Sequence, residues 1–277
     1  MKIFLTGGTG FIGSNFINHA HEAGHEILAL RRSAEEAKMV ILKSTPQWLT
    51  KEIENVSVED LQGYDALVHF AAVGVSPKPA SWNECFEFNV GKSLQLLQKA
   101  HEAGVSRMVV SGTFSEYGKS GLRYKEIPSN APLEPTDPYA ASKAAASVAL
   151  TAYARNNKYC LYYGRIFSAF GQGQYHKNFW PDLRRAALAG EDFPMTEGGQ
   201  IRDFIAVEDV AEIFLQACTD MKINPGEPVV RNVASGKPVM LAAFAAHWWE
   251  HWGATGHLRI GNLPYRAHEV MRYVPQI

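Results

Sequence analysis

Cysteine is scarce: there are three in 277 residues, Cys85, Cys160 and Cys218, odd in number and far apart. That excludes a disulfide framework or a thiolate metal site, and they read as reduced packing residues of a cytoplasmic protein. Long apolar runs are also missing, so no segment is expected to span a bilayer. Neither sign of charge is in excess. A formal net charge of −1 argues against nucleic acid or a membrane surface as partner. No metal site is expected from the ten histidines; His19, His21 and His25 cluster around a helix end and read as solvated. Repeats, low-complexity tracts and flexible linkers are absent, so a second region should pack directly on the first.

What is present is ordinary in amount and specific in order. With 46% hydrophobic and 20% charged residues the chain fits a soluble globular enzyme, long enough for one large domain or two small ones. Residues 2–5 predict a buried strand that starts at once and leaves no room for a signal peptide. Residues 11–23 predict a helix. Between them lies Thr6-Gly7-Gly8-Thr9-Gly10-Phe11-Ile12-Gly13. Glycines in a strand-to-helix turn let the backbone bend sharply and let a pyrophosphate reach the helix N-terminus. There the free N–H groups and the helix dipole favour an anion.

The first half then alternates. Strands are expected at 26–30, 47–49, 65–70, 107–111 and 158–167, and helices at 33–43, 81–103 and 139–157, the last preceded by Pro138 where a helix start tolerates it. This rhythm predicts an α/β fold, a Rossmann-like doubly wound parallel sheet with right-handed crossovers, whose ligands bind beyond the carboxyl ends of the strands. Further on, helices are expected at 179–188 and 207–219 and a strand at 229–233. A helix from near residue 240 carries Trp248, Trp249 and Trp252 as a core stripe. Residues 1–167 are thus expected to form the dinucleotide-binding domain, with 205–233 packing back on it. Residues 168–204 and 234–277 are expected to form a smaller C-terminal substrate-binding region.

Tyr139 and Lys143 stand at i, i+4, one turn apart on one helix face. A phenol with an ordinary pKa of roughly 10 is a poor acid–base group at neutral pH, and a nearby ammonium improves it. Directly after the strand at 107–111 comes Ser111-Gly112-Thr113-Phe114-Ser115-Glu116-Tyr117-Gly118. A hydroxyl there can hydrogen-bond the substrate oxygen that exchanges a proton with Tyr139, and Thr113 is the one least explained as part of a plain turn.

Together these motifs give the chain a resemblance to a known superfamily. The glycine turn is followed by Val68-His69-Phe70-Ala71-Ala72, Asn89-Val90, the hydroxyl segment ending Tyr117-Gly118, and Tyr139-Ala-Ala-Ser-Lys143. Then come Arg165-Ile-Phe-Ser168-Ala-Phe-Gly171, Arg202-Asp203-Phe204-Ile205 with Val207-Glu208-Asp209-Val210, and Pro264-Tyr265-Arg266 before Glu269. In this order, over essentially the whole chain, the sequence resembles extended short-chain dehydrogenases/reductases of the sugar-nucleotide branch. The resemblance implies that Thr113, Tyr139 and Lys143 are catalytic, with Tyr139 the acid–base and Lys143 also holding the nicotinamide ribose. It implies cofactor contacts from Gly7, Thr9, Gly10, Phe11, Ile12, Gly13, Phe70, Ala71, Ala72 and Ser111. Arg202 and Arg266 resemble the arginines that grip the diphosphate of a sugar nucleotide, a role suited to bidentate guanidinium recognition. Thr113, Ser115, Ser168 and Asn178 complete the implied substrate contacts. A homodimer through residues 81–103 and 138–157 is implied in the same way.

Two departures narrow the reaction. Dehydratases of this branch resemble Thr-(Asp or Ser)-Glu-x-Tyr-Gly, but here Phe114 and Ser115 follow Thr113 and Glu116 falls one place late. In an extended segment a one-residue slip turns a side chain to the opposite face, so Glu116 is not expected to act as a dehydratase base. Second, Arg31 and Arg32 end the second strand where NAD-binding members usually carry an acid. Arginine there favours a 2′-phosphate, so NADP(H) is the expected cofactor and NAD(H) the alternative. The expected function is NADPH-dependent reduction of the 4-keto group of a nucleoside-diphosphate 4-keto-6-deoxyhexose. A sugar-nucleotide 4-epimerase with retained NAD(P), a non-catalytic NADP-binding regulator and a reductase of a non-sugar ketone are the alternatives.

Overall fold

A computed structural model describes residues 1–36, 38–75 and 77–277. The N-terminal apolar run forms β1 (Lys2–Thr6), buried at every position after Lys2. The glycine turn leads into α1 (Phe11–Glu22), then β2 (Glu26–Arg31) and β3 (Gln47–Thr50). The chain crosses to β4 (Ala66–His69), α2 (Trp82–Phe86) and α3 (Ser93–Glu102), with a π-helical segment, Glu87–Lys92, joining the two helices. Next come β5 (Arg107–Thr113), α4 (Pro138–Asn156) and β6 (Cys160–Ile166). After β7 (Ser168–Phe170), α5 (Phe179–Ala189) and β8 (Phe193–Met195) the chain forms β9 (Ile201–Ala206), α6 (Val207–Thr219) and β10 (Val229–Val233). It ends with β11 (Pro238–Met240), α7 (Leu241–His251), β12 (Leu258–Ile260) and β13 (Arg272–Tyr273).

Seven parallel strands form the central sheet in the order β10-β6-β5-β4-β1-β2-β3. The winding direction reverses between β1 and β4, which opens a crevice beyond their carboxyl ends. Alternate residues of each strand serve opposite layers. Ile3 and Leu5 join a core with Phe16 and Ile17 of α1 and Phe214 of α6, whereas Phe4 joins Leu96 and Leu97 of α3 and Leu150 of α4. The sequence placed these elements closely, and the strand after α3 runs two residues further, through Thr113. Smaller sheets, β11-β9-β13 with β7 beside β9, and β12-β8, accompany a third core in which Trp249 is buried and Trp248 and Trp252 pack partly. The three cysteines are buried free thiols. Among the described residues no helix is long and apolar enough to cross a membrane.

The helix expected at 33–43 is not formed, and Ala37 within it lies outside the described residues. The segment spends its polar groups elsewhere. Glu36 is drawn back onto Arg32, the Met39 N–H donates to the Thr9 carbonyl, and the Asn18 amide clasps the Ile41 carbonyl and the Lys43 N–H. His21-Glu-Ala-Gly-His25 has a spacing that binds zinc on a continuous helix. Here α1 stops at Glu22 and Gly24, at φ +77°, turns the chain, so the two imidazoles do not share a helix face. No group of three potential metal-binding side chains occurs among the described residues.

One buried histidine ties the crevice together. Thr6 and His69 are register partners at the ends of β1 and β4. His69 Nδ1 lies 2.7 Å from the Thr6 hydroxyl and Nε2 2.9 Å from that of Ser93 in α3. Burial, assisted by the nearby Lys143 charge, lowers its pKa from 6.5 to about 3. A histidine held neutral in the fold and free to charge when unfolded stabilises the protein above pH 6.5. That stability is lost as pH falls from 6.5 toward 3. The expected loss is roughly 4 kcal/mol over the full interval. Urea unfolding at pH 7 and pH 5 checks this: His69→Gln should flatten the pH dependence, and an unchanged slope would show another group to be responsible.

Candidate active site

The turn after β1 is shaped by contacts that only glycine permits. Gly7 has φ +74°, and a Cβ there would stand 2.7 Å from the Ala71 nitrogen. A Cβ on Gly13 would meet the Gly7 carbonyl oxygen at 2.1 Å. Gly10 donates its N–H to the Gly7 carbonyl at 3.0 Å and caps α1 without any side-chain hydrogen bond. The first N–H groups of α1, from Phe11, Ile12 and Gly13, thus form an anion seat at the switch point. Ala71 donates its own N–H to the Thr6 hydroxyl, with Ala72 half-buried beside it. The Phe70 ring instead turns into the core, edge-on to Phe16 and Phe214 at 5.4 and 5.1 Å. Ser111 donates to the His69 carbonyl at 3.4 Å.

The Tyr–Lys pair stands at the start of α4. Asp137 caps this helix by accepting the Ala140 N–H at 2.9 Å, and Pro138 occupies its first turn. Asn89, in the π-helical segment, clasps Val73 through N–H and carbonyl and donates to Ser142 Oγ at 2.9 Å. Ser142 in turn donates to the Tyr139 carbonyl, so the loop after β4 and the first turn of α4 are held together. Thr113, at the end of β5, stands close enough to Tyr139 to act on its pKa and accepts the Ser115 N–H at 3.3 Å. Burial, then the charge of Glu116, raises the Tyr139 pKa well above the usual phenol range. Lys143 is buried, and desolvation lowers its pKa to about 8 against an opposing pull from Glu116.

Glu116 is the residue whose surroundings the sequence misplaced. Phe114–Tyr117 is a 3₁₀ turn rather than an extended segment, so no strand-like alternation applies. The turn points Glu116 inward, fully buried. Its carboxylate accepts the Thr113 N–H at 2.8 Å, lies 2.9 Å from the Tyr163 hydroxyl and pairs with Arg165 Nε at 2.6 Å. Arg165 also donates to Tyr117 Oη, Ser147 Oγ and the Ser129 carbonyl. An acid committed in this way has no face left for substrate. The alternation expected for Glu116 from the sequence thus does not apply, and its burial and pairing with Arg165 describe it instead. No local pattern signals this pairing, because Arg165 lies on β6, far along the chain.

The other candidates are more scattered. Arg202 on β9 donates to the Ile201 and Val270 carbonyls and has Glu269 at 3.6 Å. Its sequence neighbour Asp203 turns the other way, accepting from the Ser235 N–H and hydroxyl at 2.7 and 2.8 Å. Arg266 is exposed in a turn before Glu269. Ser168 begins β7, and Asn178 caps α5 through its backbone alone. Of the two arginines ending β2, Arg31 donates to Thr50 Oγ1 at 3.1 Å and lies over the Trp48 ring, while Arg32 pairs with Glu36. The structure thus joins Thr113, Ser115, Tyr139 and Lys143 in one neighbourhood and leaves Arg266 at the surface.

A doubly wound parallel sheet, a glycine turn at its switch point and a Tyr–Lys pair beside it define an enzyme of the extended short-chain dehydrogenase/reductase type. The family model described as NAD dependent epimerase/dehydratase family matches residues 3–233, and the chain belongs to that family. It is similar to the UDP-glucose 4-epimerase of Corynebacterium glutamicum, 27% identical over an alignment of 257 residues that covers 85% of this chain and 76% of that protein. It is also similar to the dTDP-D-glucose 4,6-dehydratase of Homo sapiens, 29% identical over an alignment of 247 residues that covers 82% of this chain and 67% of that protein. Among solved structures, MoeE5 in complex with UDP-glucuronic acid and NAD shares the fold with a TM-score of 0.82 at 24% identity, covering 100% of this chain and 90% of that one.

The buried pair yields a direct expectation. Arg165→Met leaves Glu116 uncompensated and should lower the unfolding free energy by roughly 3–5 kcal/mol. Adding Glu116→Gln should recover part of that loss. Urea denaturation of the single and double variants checks it, and additive effects would mean that the two groups are not coupled.

Proposed function

We propose that this enzyme reduces the 4-keto group of a nucleoside-diphosphate 4-keto-6-deoxyhexose, with NADPH as the preferred reductant. The observation that carries this reading is the Thr113–Tyr139 contact with Lys143 one turn away, beside the glycine turn. The residues present fit a dinucleotide: side chains at Gly7 or Gly13 would fill the cradle, and α1 carries no side-chain cap of its own. When bound, the dinucleotide supplies the hydride.

The chain's own residues manage the proton. Tyr139, protonated at neutral pH as any phenol is, donates to the sugar oxygen while Thr113 hydrogen-bonds and polarises the same oxygen. The Lys143 ammonium, charged below about pH 8, offsets the phenolate left behind. Arg202 and Arg266 take the diphosphate, and Ser115, Ser168 and Asn178 contact the remainder of the substrate, within a region made of 168–204 and 234–277. Arg202 keeps its backbone anchors in this reading and exchanges Glu269 for phosphate. Exposed Trp82, Phe86 and Val148 support a homodimer through the helices that carry them.

One acid–base group suffices for reduction. It also suffices for 4-epimerisation with a retained cofactor, the second reading, which the similarity to the Corynebacterium glutamicum epimerase favours. Dehydration requires further acid and base groups, and Phe114, Ser115 and the ion-paired Glu116 do not provide them. A non-catalytic regulator would have no need of the Thr113–Tyr139–Lys143 group.

The test is a panel of UDP-, GDP-, CDP- and dTDP-linked sugars. Stoichiometric consumption of NADPH with a 4-keto sugar supports reduction, whereas interconversion of two hexoses without added cofactor supports the epimerase. Tyr139→Phe should lower the rate by about 10²–10⁴-fold. A near-wild-type rate in that variant would sink the mechanism. The wild-type reductive rate should fall as pH rises through about 8, where Lys143 loses its charge.

A further inference from the structure

The chain carries an anion of its own where a dinucleotide's 2′-phosphate would be read. The Arg32 backbone N–H donates to Glu36 Oε2 at 3.2 Å and its guanidinium donates to Oε1 at 2.9 Å. The Thr9 side chain stands near the same carboxylate and adds to the pull that lowers its pKa. Thr9 belongs to the glycine turn and Arg32 directly follows β2. Glu36 thus bridges the pyrophosphate seat and the strand end where doubly wound folds read the adenosine ribose. A backbone N–H, a guanidinium and a hydroxyl are also the donors a phosphate takes.

The surroundings single out this carboxylate. Its side chain is 23% exposed, against 62% for its partner Arg32. Partial burial opposes its charge, yet the bonds from Arg32 and the nearby Thr9 hold its pKa below the usual carboxylate range. Glu35 points to solvent and bonds Ser33, and Arg31 is engaged by Thr50 and Trp48.

We propose that Glu36 is an internal mimic of the 2′-phosphate. It holds the phosphate's donors in the free protein, must swing aside for NADPH, and so sets how sharply the enzyme separates NADPH from NADH. This rests on the NADPH reading above and deepens it. A 2′-hydroxyl, unlike a phosphate, can donate to Glu36 in place, so the same residue keeps NADH admissible.

Isothermal titration of the full chain separates the possibilities, using NADPH, NADH, adenosine 2′-monophosphate and adenosine. In Glu36→Gln, the affinity for NADPH and for adenosine 2′-monophosphate should rise about tenfold as the competing charge disappears. NADH and adenosine should bind equally or more weakly. Glu36→Ala, read alongside the melting temperature of the cofactor-free protein, guards against a folding defect in one variant. If the wild type prefers NADPH but neither variant gains affinity for the two 2′-phosphates, the mimic is overturned and the NADPH reading survives. If the wild type prefers NADH and the variants turn to NADPH, the mimic is supported and the native preference is corrected. If no form binds either 2′-phosphate, both ideas fail.

Discussion

The site depends on one close approach of backbone to backbone: the turn after β1 lies against the loop after β4. A single methyl group on Gly7 would stand 2.7 Å from the Ala71 nitrogen, and one on Gly13 would overlap the Gly7 carbonyl. That approach brings the uncapped start of α1 to the point where the sheet reverses its winding. The Thr6–His69–Ser93 chain of hydrogen bonds then holds β1, β4 and α3 in register around it. Asn89 extends the same tie to the first turn of α4. A crevice built this way is rigid because each member is buried and each polar atom in the chain has a partner.

Buried charge is the second organising feature. Arg165 and Glu116 gain little net stability from each other once both are desolvated, but removing either leaves the other uncompensated. What the pair supplies is position. Glu116 fixes the Thr113 N–H at the end of β5, and its charge reaches both Tyr139 and Lys143. Placing His69 neutral beside Lys143 avoids a second buried cation there. Tyr139 and Lys143 are therefore surrounded by charged side chains that never face the crevice.

Family membership narrows the chemistry and leaves the reaction to a few side chains. An epimerase and a dehydratase are both among the relatives, so membership alone does not choose the reaction. Here the position after Thr113 carries a phenyl ring, the next a hydroxyl, and the acid that follows, Glu116, is bound to arginine. At the cofactor end, two arginines and a carboxylate compete over one small volume, so the balance of charge there matters more than the arginines alone.

The strands, most helices, the glycine turn and the Tyr139–Lys143 pair were legible in the sequence, because each is written in residues within a turn or a strand of one another. Periodicity in apolar residues decides burial, and i, i+4 spacing decides a shared helix face. The helix expected at 33–43 was lost because its carboxylate, its N–H groups and its carbonyls found better partners in Arg32, Thr9 and α1. The inward turn of Glu116 and the approach of Glu269 to Arg202 were equally closed to local reading. Composition, fold class and the shared helix face of Tyr139 and Lys143 were determined by the sequence alone. Which charges meet was decided by the tertiary structure, since partners such as Glu116 and Arg165 are brought together only when two distant strand ends pack at one edge of the crevice.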